Sequence, residues 1–343
     1  MLRTTVVTDR RYARHFAGRA HPERPQRIET VIQMAEGLRR DHLTFEPPRR
    51  ALRDQVELCH GADYVSLVQR TAEFERYDFD LDTHTCKDSF DTAMLAAGGV
   101  LTAVDSVLEG QADNSFALVR PPGHHALPER AMGFCFFNNV AIAARYLTKA
   151  RGLRRVLIFD WDLHHGNGTQ DIFYESPEVL YLSMHQFPHY PGTGSLDEIG
   201  AGAGSGFTIN APLPATFGDA EYVEVMDRLL LPIAREFKPE FVLISAGFDC
   251  HVRDPLGAMR VTEAGFAAMT RRIKRLAAET CDGKIAAALE GGYDLQALAG
   301  SVKAVLEELG READEPIAQA TGGERALGLI ETAQRNLSPF WKL

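Results

Sequence analysis

From about residue 90 the chain alternates two kinds of apolar segment, and this alternation constrains its fold more than any other feature. Short strand-like runs occur at 116–119, 156–159, 179–183, 241–245 and 285–289. Between and around them, longer stretches with apolar residues at helical spacing occupy 91–110, 138–150, 220–237, 262–279 and 295–310, with Thr262 a candidate helix cap. Strands that alternate with helices must cross over to pair in parallel, so the pattern predicts a mostly parallel sheet with helices on both faces. No repeat, linker or low-complexity tract interrupts it. We read a single α/β domain over 1–343, with its core at about 15–310 and an irregular C-terminal tail at 311–343. Residues 4–7 read as a first strand, and the rest of the first 90 or so residues as part of the rim.

Composition removes several classes of function. With 343 residues, 45% hydrophobic and 24% charged, the chain is neither disordered nor fibrous. A net charge of −10 argues against a nucleic-acid partner. No stretch approaches the roughly 20 apolar residues of a membrane span. The first seven residues lack the apolar run of a signal peptide. The expectation is a soluble, cytoplasmic protein without a membrane partner, and a homo-oligomer stays open. Cys59, Cys86, Cys135, Cys250 and Cys281 are scattered and odd in number, so they read as buried small hydrophobes rather than a disulfide framework. Histidine is more telling: six of the 12 (His124, His125, His164, His165, His185, His189) fall between positions 124 and 189.

In open α/β sheets ligands bind beyond the carboxyl ends of the strands. Each predicted strand here runs on into polar residues or glycine. After Val119 comes Arg120-Pro121-Pro122-Gly123-His124-His125, and after Phe159 comes Asp160-Trp161-Asp162-Leu163-His164. The other three strands continue into Met184-His185, Ala246-Gly247-Phe248-Asp249 and Glu290-Gly291-Gly292-Tyr293. Asp162 and His164, two apart on an extended segment, point the same way, and Asp249 can close a third side. Two carboxylates and an imidazole suit zinc with a position left for water and substrate. Taken alone, Asp-X-His reads better as a helix cap beside a core histidine. The other strand ends change that balance. Two histidines on a rigid Pro-Pro-Gly turn, beside a metal-activated water, are suited to general base and acid work. Asp160 and Asn167 are the available groups to set their tautomers. Tyr293, swung into a cleft by Gly291-Gly292, can donate to a developing oxyanion, although a lone tyrosine in a turn is more often a rim aromatic.

Together these segments resemble the zinc-dependent histone deacetylase family, from His21-Pro22-Glu23-Arg24-Pro25 to about Leu309. The likeness rests on RPPGHHA at 120–126, GFCFFNN at 133–139, DWDLHHGNGTQ at 160–170, AGFDCHVRDPLG at 246–257 and LEGGYDL at 289–295. The Pro-Pro pair, Asn167 and the EGGY form look like the class II branch, which includes bacterial histone-deacetylase-like amidohydrolases. The resemblance implies an arginase-like α/β domain whose parallel sheet has about eight strands. It implies zinc on Asp162, His164 and Asp249, with His125 as general base and acid and His124 as its electrostatic partner. Asp160 would orient His124, and Asn167 would orient His125. Phe134, next to Gly133, and Tyr190 would flank an acyl-lysine tunnel with Gly292 near its floor. A potassium site would use Asp160, Asp162, His164, Ser183 and Met184, with a second near Phe173. Many members carry phenylalanine where Tyr190 stands, so this wall is more polar. Acetylpolyamine-selective members place a gatekeeper glutamate where Leu256 stands or elsewhere on the rim, so the apolar Leu256 favours an acyl-lysine peptide or protein over a small acylated amine. Asp80 and Asp82 on a rim loop argue the other way. There are three rivals: an arginase-type two-manganese hydrolase, disfavoured by Gly166 and His251; an acetylpolyamine amidohydrolase; and a non-catalytic acyl-lysine-binding module.

Overall fold

A computed structural model describes residues 1–38, 42–312 and 324–343 of the chain. Its strands are β1 (Thr4–Val7), β2 (Leu43–Glu46), β3 (Tyr77–Asp78), β4 (His84–Thr85), β5 (Asn114–Ala117), β6 (Val156–Asp160), β7 (Val179–Gln186), β8 (Thr208–Leu213), β9 (Phe241–Ala246) and β10 (Ile285–Leu289). The helices are α1 (Gln26–Gly37), α2 (Arg53–Val56), α3 (Ala62–Arg70), α4 (Ser89–Leu108), α5 (Asn139–Lys149), α6 (Asn167–Phe173), α7 (Asp219–Val225), α8 (Leu231–Phe237), α9 (Glu263–Thr280), α10 (Leu295–Leu309) and α11 (Leu327–Leu337).

Eight strands form one sheet in the order β2-β1-β5-β10-β9-β6-β7-β8, and every pairing is parallel. The inner strands read Val-Leu-Ile-Phe or Phe-Val-Leu-Ile because both of their faces are covered. Helices α4 and α5 pack on the sheet, while α1, α10, α9 and α7–α8 form a second row side by side. The five strands whose ends carry polar residues in the sequence are consecutive in the sheet: β5, β10, β9, β6 and β7. Their carboxyl ends therefore open onto one place. The short antiparallel pair β3–β4 stands apart from the sheet.

Five sequence expectations change. The first 90 residues are more than rim, because β2 and β1 extend the main sheet beyond β5. The 220–237 segment is a helix with a π-turn at Met226–Leu230 between α7 and α8. That turn precedes Pro232, which has no N–H to continue α-helical bonding. Strand β7 runs on through Gln186 because β8 pairs with it as far as Leu213, so Ser183, Met184 and His185 lie inside the strand. The tail is not wholly irregular: α11 buries Ile330, Ala333 and Leu337 at helical spacing. Part of that tail, 313–323, lies outside the described residues. Finally, α4 is 20 residues long and apolar enough to cross a membrane by length and composition. It packs against β1, β5 and β10, and that burial accounts for its composition.

α4 also explains a glycine. A Cβ on Gly98 would lie 2.0 Å from the Arg49 carbonyl oxygen and 2.5 Å from the Ala51 nitrogen. The 49–51 backbone cannot withdraw cheaply, since Ala51 N–H donates to the Met94 carbonyl at 3.0 Å. Gly98→Ala gains up to about 1 kcal/mol of helix propensity. Overpacking costs about 1–3 kcal/mol, and against backbone the upper end applies. We expect a net loss of stability, read as a lower urea midpoint at unchanged m. A midpoint at or above wild type would show that the 49–51 segment yields.

Candidate active site

Strand β6 ends at Asp160, so Asp162 and His164 lie in the loop to α6 and not, as expected, on extended strand. Hydrogen bonds replace strand geometry in aligning them. The His164 amide donates to Asp162 Oδ1 at 2.8 Å, and the Asp162 amide donates to Asp160 Oδ1 at 3.1 Å. Asp249, just past β9, accepts the Leu163 amide at 2.8 Å. The Gly291 amide beyond β10 donates to Asp162 Oδ2 at 2.9 Å. One ligand atom from each of Asp162, His164 and Asp249 falls within 4.8 Å of the others, and all three residues are buried. His164 Nδ1 lies 3.2 Å from Asp162 Oδ1 and 3.0 Å from Asp249 Oδ2.

This donor set fits a divalent cation. Asp160, Asp162 and Asp249 are fully buried with imidazoles as their neighbours, and buried like charges at this density require a counter-charge. Burial and the charge of Asp162 both push the Asp249 carboxyl up, which shows the repulsion a metal would relieve. The cradle is cut to size. A Cβ on Gly247 would sit 1.9 Å from Asp162 Oδ2, and one on Gly291 would sit 2.1 Å from Asp249 Oδ2. A second metal of the arginase type lacks the two carboxylates it would need at the matching positions: Gly166 has no side chain to offer, and His251 turns its Nε2 to within 3.4 Å of Glu263.

The two histidines differ in state. His124 Nδ1 lies 3.1 Å from Asp160 Oδ2, and its Nε2 lies 3.7 Å from Asp162. Burial opposes its charge, but Asp162 and Asp160 prevail and raise its pKa to about 10. His125 Nδ1 lies 2.8 Å from Asn167 Oδ1. An amide oxygen only accepts, so Nδ1 carries the proton and Nε2 presents a lone pair. Burial, then the neighbouring His124 and His164, drive the His125 pKa well below the ordinary value. The rings of His124 and His125 are 4.1 Å apart, and those of His125 and His164 are 5.8 Å apart. A neutral imidazole thus faces the Asp-His-Asp cluster beside a charged one. Both orienting roles read from the sequence, for Asp160 and Asn167, correspond to contacts in the structure.

Tyr293 is 7% exposed, and its ring packs edge-on to Phe134 at 5.9 Å. Burial pushes its hydroxyl well above the usual range, so it stays a donor. The groups that place it escaped the sequence reading. Arg27 donates to the Glu290 carbonyl and the Gly292 carbonyl, each at 2.6 Å, and lies over the Tyr293 ring at 4.8 Å. Glu23, fully buried, binds Arg27 at 3.0 Å and Arg120 at 2.5 Å. Arg120 in turn ties down the Tyr12 and His15 carbonyls. Glu290 accepts the Gly123 amide at 2.6 Å and the His124 amide at 3.2 Å, fixing the histidine turn. Burial raises the Glu290 pKa to about 7. Charged residues read as surface by default; only the nearness of Glu23 and Arg27 to the Pro22–Pro25 turn, and of Glu290 to the Gly-Gly pair, could have flagged them.

The remaining predicted residues fall in three places. Phe134, at φ 68°, follows Gly133 at φ 57°, and its ring meets His21 at 4.6 Å. A Cβ on Gly133 would strike the His125 ring at 2.4 Å. Tyr190, 38% exposed, stands edge-on to His125 at 5.2 Å. Asp82 lies on the β3–β4 turn, where its carbonyl accepts from His21 at 2.9 Å. The half-buried Leu256 follows Asp249 on the same loop. Gly292, at φ 118°, faces Leu298 and Phe248 and serves the turn that carries Tyr293. Ser183 and Met184 are buried in β7 with Ser183 in register with Asp160; Phe173, at the end of α6, packs under the Arg145 guanidinium at 4.7 Å. All five cysteines are free, and four are buried.

The parallel sheet carries at its carboxyl edge a buried cluster that fits a metal ion, and comparison with known proteins makes the class specific. The histone deacetylase domain family matches residues 21–309. A probable deacetylase of Archaeoglobus fulgidus is 42% identical over 297 residues, covering 85% of this chain and 82% of that protein. The polyamine deacetylase HDAC10 of Homo sapiens is 40% identical over 335 residues, covering 93% of this chain and 49% of that protein. The crystal structure of the HDA15 HD domain superposes with a TM-score of 0.90 at 37% identity, covering 99% of this chain and 95% of that one. The chain belongs to the histone deacetylase family.

The cradle yields a prediction that needs no substrate. Gly291→Ala places a methyl against Asp249 and Asp162 and should strip the site of bound metal, read as metal per chain after dialysis against zinc. Wild-type metal content in this variant would separate Gly291 from the site.

Proposed function

We propose that this protein is a zinc-dependent deacylase that hydrolyses the amide of acyl-lysine side chains. One observation carries the proposal: a neutral, Asn-oriented imidazole faces a buried Asp-His-Asp cluster at the end of an approach walled by Phe134 and Tyr190. Asp162, His164 and Asp249 would hold the zinc, which when bound supplies a Lewis acid for the acyl carbonyl and lowers the pKa of water toward neutrality. His125 Nε2 takes the proton of the attacking water. His124, held charged between Asp160 and Asp162, keeps positive potential beside the developing oxyanion. The Tyr293 hydroxyl donates to that oxyanion, a second electrophile that matters because two carboxylate ligands cancel the formal charge of the ion. His125, now imidazolium, protonates the leaving amine. Phe134 and Tyr190 exclude water and seat the methylene stem of lysine. Asp160, Asp162, His164, Ser183 and Met184 form the potassium site we propose on family likeness, with the Phe173 region as a second.

Chelation should abolish activity on an acetyl-lysine peptide, and zinc or cobalt should restore it; full turnover in metal-free protein would end the assignment. Tyr293→Phe should lower turnover by about 10²–10³-fold, the scale for one oxyanion donor, with zinc content unchanged.

The second reading, an acetylpolyamine hydrolase, draws on the rim acids Asp80 and Asp82, whose charges add to burial in pushing the Tyr190 hydroxyl up. Against it, Leu256 offers no carboxylate to a distant ammonium, and an exposed pair is worth only about 0–1 kcal/mol. Leu256→Glu should improve kcat/KM on acetylspermidine relative to the peptide, and the gain should shrink at high salt. A wild type that already prefers acetylspermidine tenfold would install the second reading.

A further inference from the structure

Tyr293 lies between β10 and α10, outside both elements, so neither ladder fixes its main chain. The peptides that precede it are held through Arg27, which binds the carbonyls of residues 290 and 292. Its amide meets a side chain: Asp254 Oδ2 accepts the Tyr293 N–H at 2.6 Å and the Asp294 N–H at 3.3 Å. The other oxygen, Oδ1, accepts the Leu256 N–H at 3.0 Å. Asp254 is 7% exposed and has no ion-pair partner among the described residues, so main-chain amides alone support its charge. Burial, then the charge of Asp249, raise its pKa to about 7, which shows that the position costs the protein something. Its neighbour Arg253 reaches the same turn, donating to Asp294 Oδ1 at 2.9 Å and Gln296 Oε1 at 3.0 Å. Asp294 meanwhile caps α10 through the Ala297 amide at 2.8 Å. The turn is therefore pinned on its amide side by the loop that begins at Asp249.

We infer that Asp254 is the positioning residue for Tyr293: its carboxylate gathers the amides of Tyr293, Asp294 and Leu256 and so locks the tyrosine turn to the Leu256 loop. The inference rests on the deacylase reading for what the hydroxyl does, but not for how it is held. Only a group with two acceptor oxygens serves all three donors. Asparagine would turn an NH2 toward one set of amides and leave donors facing a donor. A turn freed on one side lets the hydroxyl wander, and an oxyanion donor displaced by even a fraction of its bond length loses most of its effect. The loss should appear in kcat, because Tyr293 acts on charge that develops after binding.

The test is a double-mutant cycle on the full-length, zinc-loaded protein with an acetyl-lysine peptide. Asp254→Asn should lower kcat by about 10–10²-fold with little change in KM or zinc content. In the Tyr293→Phe background the same change should cost less than about twofold, since the group it positions is already gone. Exchange of the 290–294 amides, followed in the metal-free protein, should accelerate in Asp254→Asn whether or not the enzyme turns over. Asp254→Glu, which keeps the charge, should give an intermediate kcat and the same non-additivity, and it stands in if the asparagine variant does not fold. Wild-type kcat in Asp254→Asn, a cost that persists in full in the Tyr293→Phe background, or unchanged amide exchange would each overturn the inference. Absence of wild-type activity would instead sink the deacylase reading and leave the exchange result to judge Asp254.

Discussion

Mutual repulsion among buried carboxylates is the constraint on which the rest of this structure turns. Asp160, Asp162 and Asp249 are brought together, fully buried, by the adjacent strands β6 and β9. Such a cluster is stable only if every oxygen is engaged and a positive group stands nearby. The chain meets the first demand with main-chain amides from Asp162, Leu163, His164 and Gly291 on four of the oxygens, and with His124, Tyr181 and His164 side chains on Asp160 Oδ2 and Asp249 Oδ2. It meets the second with a charged His124 and a ligand set that invites a metal. Glycines at 247 and 291 are the corollary, because any side chain there would enter the space those oxygens occupy.

A second buried network explains why the N-terminal segment belongs to the site. Glu23 would be pushed toward neutrality by burial, but Arg120, His15 and Arg27 overcome that and hold it ionised. Its two arginines face in different directions. Arg120 belongs to the segment that leads to the histidine pair, and Arg27 grips the turn that leads to Tyr293. One carboxylate thus ties the supports of the histidine pair and of Tyr293 together. Removing a single partner of such a buried group is costlier than its net contribution suggests, since the survivors are left charged and unmatched.

Much of this was legible in the sequence, for identifiable reasons. Strands buried on both faces read as continuous apolar runs, so β6, β7, β9 and β10 could be placed, and with them the strand ends that carry Asp162, Asp249 and Tyr293. That Asp160 and Asn167 were the groups available to orient the two histidines came from chemical need; which of them serves which histidine came from the family resemblance. Strand β1 was read from residues 4–7, whereas the edge strands β2 and β8 and helix α11 were harder. They are short or isolated, and their neighbours in space are far away in sequence. The buried charges at Glu23, Arg27, Asp254 and Glu290 were invisible as a network because a carboxylate or guanidinium looks the same in sequence whether it faces water or spans two loops. The break in 220–237 was signalled by Pro232 and overridden by the strength of the amphipathic pattern.

The strand order carries a consequence for how the chain is made. β10 sits between β5 and β9 although it is the last strand among the described residues. Until residues 285–289 are available, β2-β1-β5 and β9-β6-β7-β8 are two separate sheets, each with an apolar inner edge open to any passing strand. The protein therefore passes through synthesis as two sticky halves, and the closing strand is the one that delivers Gly291 and Tyr293. Chaperone dependence during translation, and a tendency of C-terminally shortened chains to aggregate, follow from that order of assembly.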